Sequence, residues 1–202
     1  MKVALDLDGC LACSEKTVAR LISEEYGIAY TPAMQYDWSA DKLMKHFFGI
    51  DMSSEEFLSY FQRAWENWQE IEATSPEAFD TWIDLHQAGF DADIVTYSPD
   101  RATLDNKKRW VEAYVSGWPT VVEANNGGWK YDMGLNEGKG YKYDTFVDDC
   151  PHIIVGAVAR GYNGILFDRP CNRSVDDRYI SARVKRADEI LPAVEKLREK
   201  RA

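Results

Sequence analysis

Two carboxylates near the start of the chain carry its first chemical signal. Asp6 and Asp8 follow the apolar run Val3-Ala4-Leu5 and precede Gly9. If that run is a buried strand, alternation sends both side chains the same way at its carboxyl end. Two anions crowded there repel each other unless a cation neutralises them. Gly9 lets the chain turn close to whatever binds. A second acidic pair, Asp148-Asp149, ends another strand-like run, Tyr143-Asp144-Thr145-Phe146-Val147. Between the two pairs, Asp93-Ile94-Val95-Thr96-Tyr97-Ser98 ends in hydroxyls. Three strands that end in metal- or phosphate-competent residues fit an open parallel sheet, where ligands bind at the carboxyl edge.

The elements that must position these residues follow from periodicity. After Gly9, Thr17, Val18, Leu21, Ile22 and Tyr26 recur at helical spacing up to Gly27. Ser53 and Glu56 form a capping box before a helix striped with Phe57, Tyr60, Phe61, Ala64, Trp65 and Trp68. Ser75-Pro76 starts a helix expected to run to Gly89, and Asp100 caps one expected to reach Gly117. Trp118-Pro119-Thr120-Val121-Val122 and Gly164-Ile165-Leu166-Phe167 read as further strands, the second as the last central one. Residues 124–142 are glycine-rich and read as a loop. No strand is evident between about 16 and 76. The expected fold is therefore α/β: a Rossmann-like parallel sheet core, 1–15 and 77–202, with a helical cap, 16–76, inserted after the first strand.

Composition narrows the partners. The 202 residues suffice for one α/β core with a modest insertion, and 45% hydrophobic with 29% charged residues is ordinary for a globular chain. A net charge of −10 argues against a nucleic-acid polymer or a membrane surface held by a basic patch. No apolar run approaches the roughly 18 residues that span a bilayer. Met1-Lys2 runs straight into a strand without a signal-like stretch, so a cytoplasmic location is expected. Cys10 and Cys13 form a C-x-x-C, with Cys150 and Cys171 downstream. A zinc site or redox pair is conceivable there. With only three histidines and no second C-x-x-C, reduced, partly buried thiols are the favoured reading.

Together these residues resemble the haloacid dehalogenase superfamily of phosphohydrolases. Asp6-Leu7-Asp8-Gly9 looks like its first motif and Thr96 like its second. Lys139 looks like the third, with Lys142 close by as a rival, and Asp148-Asp149 like the fourth. The resemblance implies Asp6 as nucleophile and Asp8 as general acid and base, with Thr96 binding a phosphoryl oxygen and Lys139 offsetting charge. It implies Mg²⁺ as cofactor, held by Asp6, the carbonyl of Asp8 and one of Asp148 or Asp149, Asp149 being preferred. Asp148-Asp149 could otherwise simply cap the helix that Pro151 opens. An Asp two residues after the nucleophile is what the superfamily's phosphatases and mutases show. Cys10 departs from the usual Thr or Val after the glycine.

A finer resemblance is to the 5′(3′)-deoxyribonucleotidase family. Thr96-Tyr97-Ser98-Pro99 is similar to that family's Thr-Ser-Pro stretch with one extra residue, bringing Ser98 into the phosphate-binding set. Phe146-Val147-Asp148-Asp149-Cys150-Pro151 and Leu166-Phe167-Asp168-Arg169-Pro170-Cys171-Asn172-Arg173 resemble two of its other stretches. The expected substrate is a small phosphate monoester, a (deoxy)nucleoside 5′-monophosphate, with sugar phosphates and a nucleic-acid terminal phosphate as rivals. A non-catalytic Mg²⁺- or phosphate-binding regulator is the alternative outside enzymes. Among the aromatics Tyr36, Trp38, Phe47, Phe48, Trp65 and Trp68, Trp38 is the preferred wall for a nucleobase, because it lies outside the helical stripe. Self-association as a homodimer is left open.

Overall fold

Strands buried on both faces read as continuous apolar runs, and the central strands of the sheet are such runs. The computed structural model describes residues 1–34, 40–124 and 142–200. Its strands are β1 (Lys2–Leu5), β2 (Asp91–Thr96), β3 (Val121–Glu123), β4 (Thr145–Asp148), β5 (Asn163–Phe167) and β6 (Ala182–Val184). They pair in parallel in the order β3-β2-β1-β4-β5-β6. The connections include helices α1 (Ser14–Tyr26), α2 (Ala40–Phe48), α3 (Ser54–Glu66), α4 (Thr81–Gln87), α5 (Arg101–Tyr114) and α6 (Pro151–Ala159). Helix α7 (Ile190–Glu199) follows β6. The parallel α/β core read from the sequence is the observed one.

Alternation along each strand divides the core into two layers. Val3, Leu5, Ile94, Ile165 and Phe167 meet Trp82 and Leu85 of α4, Trp110 of α5 and Val194 of α7. Ala4, Val95, Phe146 and Leu166 face the other way, against Ile154 and Ala157 of α6. A third cluster lies within the segment between β1 and α4. There Val18 and Ile22 of α1, Met44 of α2 and Tyr60 and Ala64 of α3 pack together with Tyr30. Ser53 caps α3 by accepting from the Glu56 amide at 3.1 Å, and Asp100 caps α5 by accepting from Thr103 at 2.7 Å. No helix among the described residues is long and apolar enough to cross a membrane.

One expectation needs correction. The segment from Pro76 is not one helix: a 3₁₀ turn, Pro76–Phe79, precedes α4. The Phe79 carbonyl accepts from the Ser116 amide at 2.8 Å, and the Ser116 hydroxyl donates to Asp80 at 2.7 Å. The first of these bonds uses a carbonyl that a continuous helix would have engaged. The last central strand is β5, as expected, with an edge strand beyond it that the sequence does not announce. β6 pairs beside β5, and its central Arg183 bonds Asp168 at 3.2 Å.

Candidate active site

Parallel pairing of β1 with β4 brings both acidic ends to one edge. There Asp6, Asp148 and Asp149, all buried, each offer a carboxylate oxygen within 4.8 Å of the others. Burial, then the charges of Asp148, Asp6 and Glu15, push the Asp149 carboxyl well above the ordinary range, against the opposing pull of Arg169. The triad is braced from outside. The Cys150 amide donates to Asp148 Oδ1 at 2.8 Å, and Asn172 Nδ2 donates to the Asp149 carbonyl at 2.8 Å. Arg169 Nε donates to the Gly9 carbonyl at 2.8 Å.

Gly9 is required by shape. It sits at φ +73°, and a Cβ there would meet Asp149 Cγ at 2.6 Å, with Oδ2 closer still. Gly9→Ala must therefore displace the Asp149 carboxylate. The expected result is loss of at least about 2 kcal/mol of stability from combined strain and overpacking, measured by chemical denaturation. A variant as stable as wild type would contradict this close approach.

Asp8 keeps different company. Its Oδ1 accepts from Ser14 Oγ at 2.7 Å and from the Trp65 indole Nε1 at 3.0 Å. Its Oδ2 is 2.5 Å from Lys107 Nζ and 3.3 Å from Thr96 Oγ1. Lys107 also donates to Thr96 Oγ1 at 3.0 Å and to the Tyr97 carbonyl. Its ammonium is fully buried, 4.9 Å from the Phe61 ring centroid and 5.4 Å from that of Trp65. A buried cation is tolerated only when paired and hydrogen-bonded, as this one is.

One cavity, of about 770 Å³, joins the two clusters. Asp6, Asp8, Asp148 and Asp149 line one part of it; Tyr30, Phe57, Phe61, Tyr97 and Ile153 line much of the rest. Lys16, Glu15 and Arg169 add charged groups to the wall. Burial pushes the Tyr30 phenol up to about 12. It does the same to the Cys13, Cys150 and Cys171 thiols, also to about 12, so thiolate chemistry is disfavoured at all three. All four cysteines are free.

No protein-family model matches the sequence, and no curated protein does. Solved structures do match. A hydrolase from Pseudomonas syringae superposes with a TM-score of 0.62 at 16% identity, over 97% of this chain and 98% of that one. A HAD family hydrolase from Deinococcus radiodurans R1, with bound phosphate and sodium, gives 0.61 at 17%, over 96% and 95%. A structure from Bacteroides vulgatus, provisionally described as a β-phosphoglucomutase, gives 0.58 at 17%, over 98% and 88%. This chain has the fold of the haloacid dehalogenase-like hydrolases.

Within this fold the residues picked out from the sequence distribute unevenly. Asp6, Asp148 and Asp149 gather as one set, while the Asp8 carboxylate turns to Lys107 and Thr96. Thr96 is fully buried, and Ser98 Oγ is buried with no hydrogen-bond partner among the described residues. Lys139, Tyr36 and Trp38 lie outside the described residues, and Lys142 is exposed. Phe47, Phe48, Trp65 and Trp68 do not line the cavity; other aromatics do. Lys107, Trp65 as a donor, Ser14, Arg169 and Asn172 were not anticipated. Lys107 had left a trace, since it shares the buried face of α5 with Leu104, Trp110 and Val111.

Proposed function

We propose that this protein is a Mg²⁺-dependent phosphomonoesterase acting on (deoxy)nucleoside 5′-monophosphates, with residues 16–76 as a cap over the site. The observation that carries this reading is the division of labour at the sheet edge: Asp6 beside two further buried carboxylates, Asp8 in a separate hydrogen-bonded cluster, both facing one cavity. The phosphate bound by the similar Deinococcus hydrolase supports a phosphate-binding edge. The nucleotide part rests on the cavity's aromatic wall and on the sequence resemblance to 5′(3′)-deoxyribonucleotidases.

The donor set fits the metal: three buried carboxylates form an all-oxygen site for a hard cation, and Asp149 is held in a state that a cation would relieve. When bound, Mg²⁺ supplies neutralisation of the carboxylates and of the phosphoryl oxygens. Asp8 enters the cycle with a proton taken from solvent; the Asp6 carboxylate attacks phosphorus, the ester P–O bond breaks, and Asp8 passes that proton to the leaving oxygen. A water then attacks the aspartyl-phosphate and gives its proton to Asp8. The P–O bond to Asp6 breaks, and orthophosphate leaves. We assign to Lys107, beneath Asp8, the charge-offsetting role that the motif order gives Lys139, and to Thr96 and Ser98 the phosphoryl contact; all three sit behind the cavity's lining as it stands.

Melting curves test the metal. Asp149's carboxyl is raised in the fold, so the stability it contributes is present below the unfolded carboxyl range, about pH 4, and is lost as pH rises through its raised folded value. Mg²⁺ should remove that loss, raising Tm more at pH 8 than at pH 5, and Asp149→Ala should erase most of the shift. A shift lost in Asp148→Ala but kept in Asp149→Ala would make Asp148 the principal ligand. No shift in any form would count against the metal.

A phosphate-release panel tests the substrate. Nucleoside 5′-monophosphates should give the highest kcat/KM, because contacts with base and sugar act on the transition state only when present. The second reading, a sugar phosphatase, is favoured by likeness to the Bacteroides structure. Highest kcat/KM on a hexose phosphate would select it.

A further inference from the structure

We infer that Trp65 is a positioning residue for Asp8, so that the acid–base group is fully held only while α3 is seated on the core. This rests on the phosphomonoesterase reading above. Three fully or nearly buried tryptophans make the contrast. Trp82 and Trp110 donate their indole N–H to the backbone carbonyls of Ala92 (2.7 Å) and Ile71 (2.9 Å), as core tryptophans do. Trp65, fully buried, gives its single donor to a side-chain carboxylate two residues from Asp6, at 3.0 Å.

The placement of that donor matters because four elements converge on one carboxylate. Ser14 at the start of α1 and Trp65 on α3 hold Oδ1; Thr96 on β2 and Lys107 on α5 hold Oδ2. With donors on both oxygens, rotation of the carboxylate plane is blocked. Helix α3 is tied to the same place twice more. Gln62 Nε2 donates at 2.5 Å to Asp100, the cap of α5, and the Phe61 and Trp65 rings flank the Lys107 ammonium. A shift of α3 would thus loosen Asp8 directly. Proton transfer to a leaving oxygen is sensitive to such misplacement, whereas burial of an aromatic ring alone is not specific to it.

Leaving-group dependence separates a positioning role from a structural one. Phenyl phosphate needs proton donation to its departing oxygen more than p-nitrophenyl phosphate, and the two esters differ little in shape. Trp65→Phe removes the N–H and keeps an aromatic ring. It should lower kcat/KM about tenfold for phenyl phosphate and less than about twofold for p-nitrophenyl phosphate. Equal losses on both esters would overturn the inference and leave Trp65 a packing residue. Should Trp65→Phe fail to fold, Ser14→Ala, which removes the other donor to Oδ1, decides by the same inequality. Wild-type protein that releases phosphate from neither ester overturns the phosphomonoesterase reading, and this inference with it.

Discussion

Asp6→Asn should abolish phosphate release, by at least about 1,000-fold in kcat, because an amide cannot become an acyl-phosphate. The fold should survive. Asp6 is buried against Asp148 and Asp149, so removing its charge relieves repulsion. The melting midpoint in EDTA should therefore match or exceed that of wild type. Activity above a few per cent of wild type, with deamidation excluded by mass spectrometry, would remove Asp6 from the nucleophile's role.

The second large effect is expected at Lys107. Lys107→Met keeps much of the stem between Phe61 and Trp65 but removes the ammonium from Asp8, Thr96 and the Tyr97 carbonyl. We expect kcat to fall about 100-fold or more, the scale seen when a preorganised charge-stabilising donor is deleted. Lys139→Ala, assayed beside it, separates the two candidates for that role. If Lys107→Met stays within about threefold of wild type and Lys139→Ala does not, Lys107 is a structural ion pair and the motif order identifies the right lysine.

The layout of this site was readable in the chain to the extent that local pattern reports burial. Val3-Ala4-Leu5 and Thr145-Phe146-Val147 announce strands because both faces are covered, and the acids that follow them mark the edge. Ala182–Val184 does not, being three residues with an arginine at the centre. The stripe on α3 reports that Trp65 is buried but not where its N–H points, which depends on how α3 meets Asp8. Lys107 lies in the apolar stripe of α5, but helical lysines are ordinarily solvated, so local pattern does not mark it as buried. Arg169 and Asn172 act on Gly9 and Asp149 across long sequence separations, through bonds that no local pattern encodes. The cavity's aromatic wall is likewise tertiary: Tyr30, Phe57, Phe61 and Tyr97 come from three stretches, and only Phe57 and Phe61, both on α3, share a periodicity.

The most direct test of the account is phosphate release from a nucleoside 5′-monophosphate, measured with Mg²⁺, with EDTA, and with Mg²⁺ restored after EDTA. Buried Asp6, Asp148 and Asp149 beside Asp8 predict turnover with Mg²⁺, its loss in EDTA and its recovery on restoring the metal. Phosphate release that is unchanged in EDTA, or absent from every monoester supplied with Mg²⁺, would contradict it.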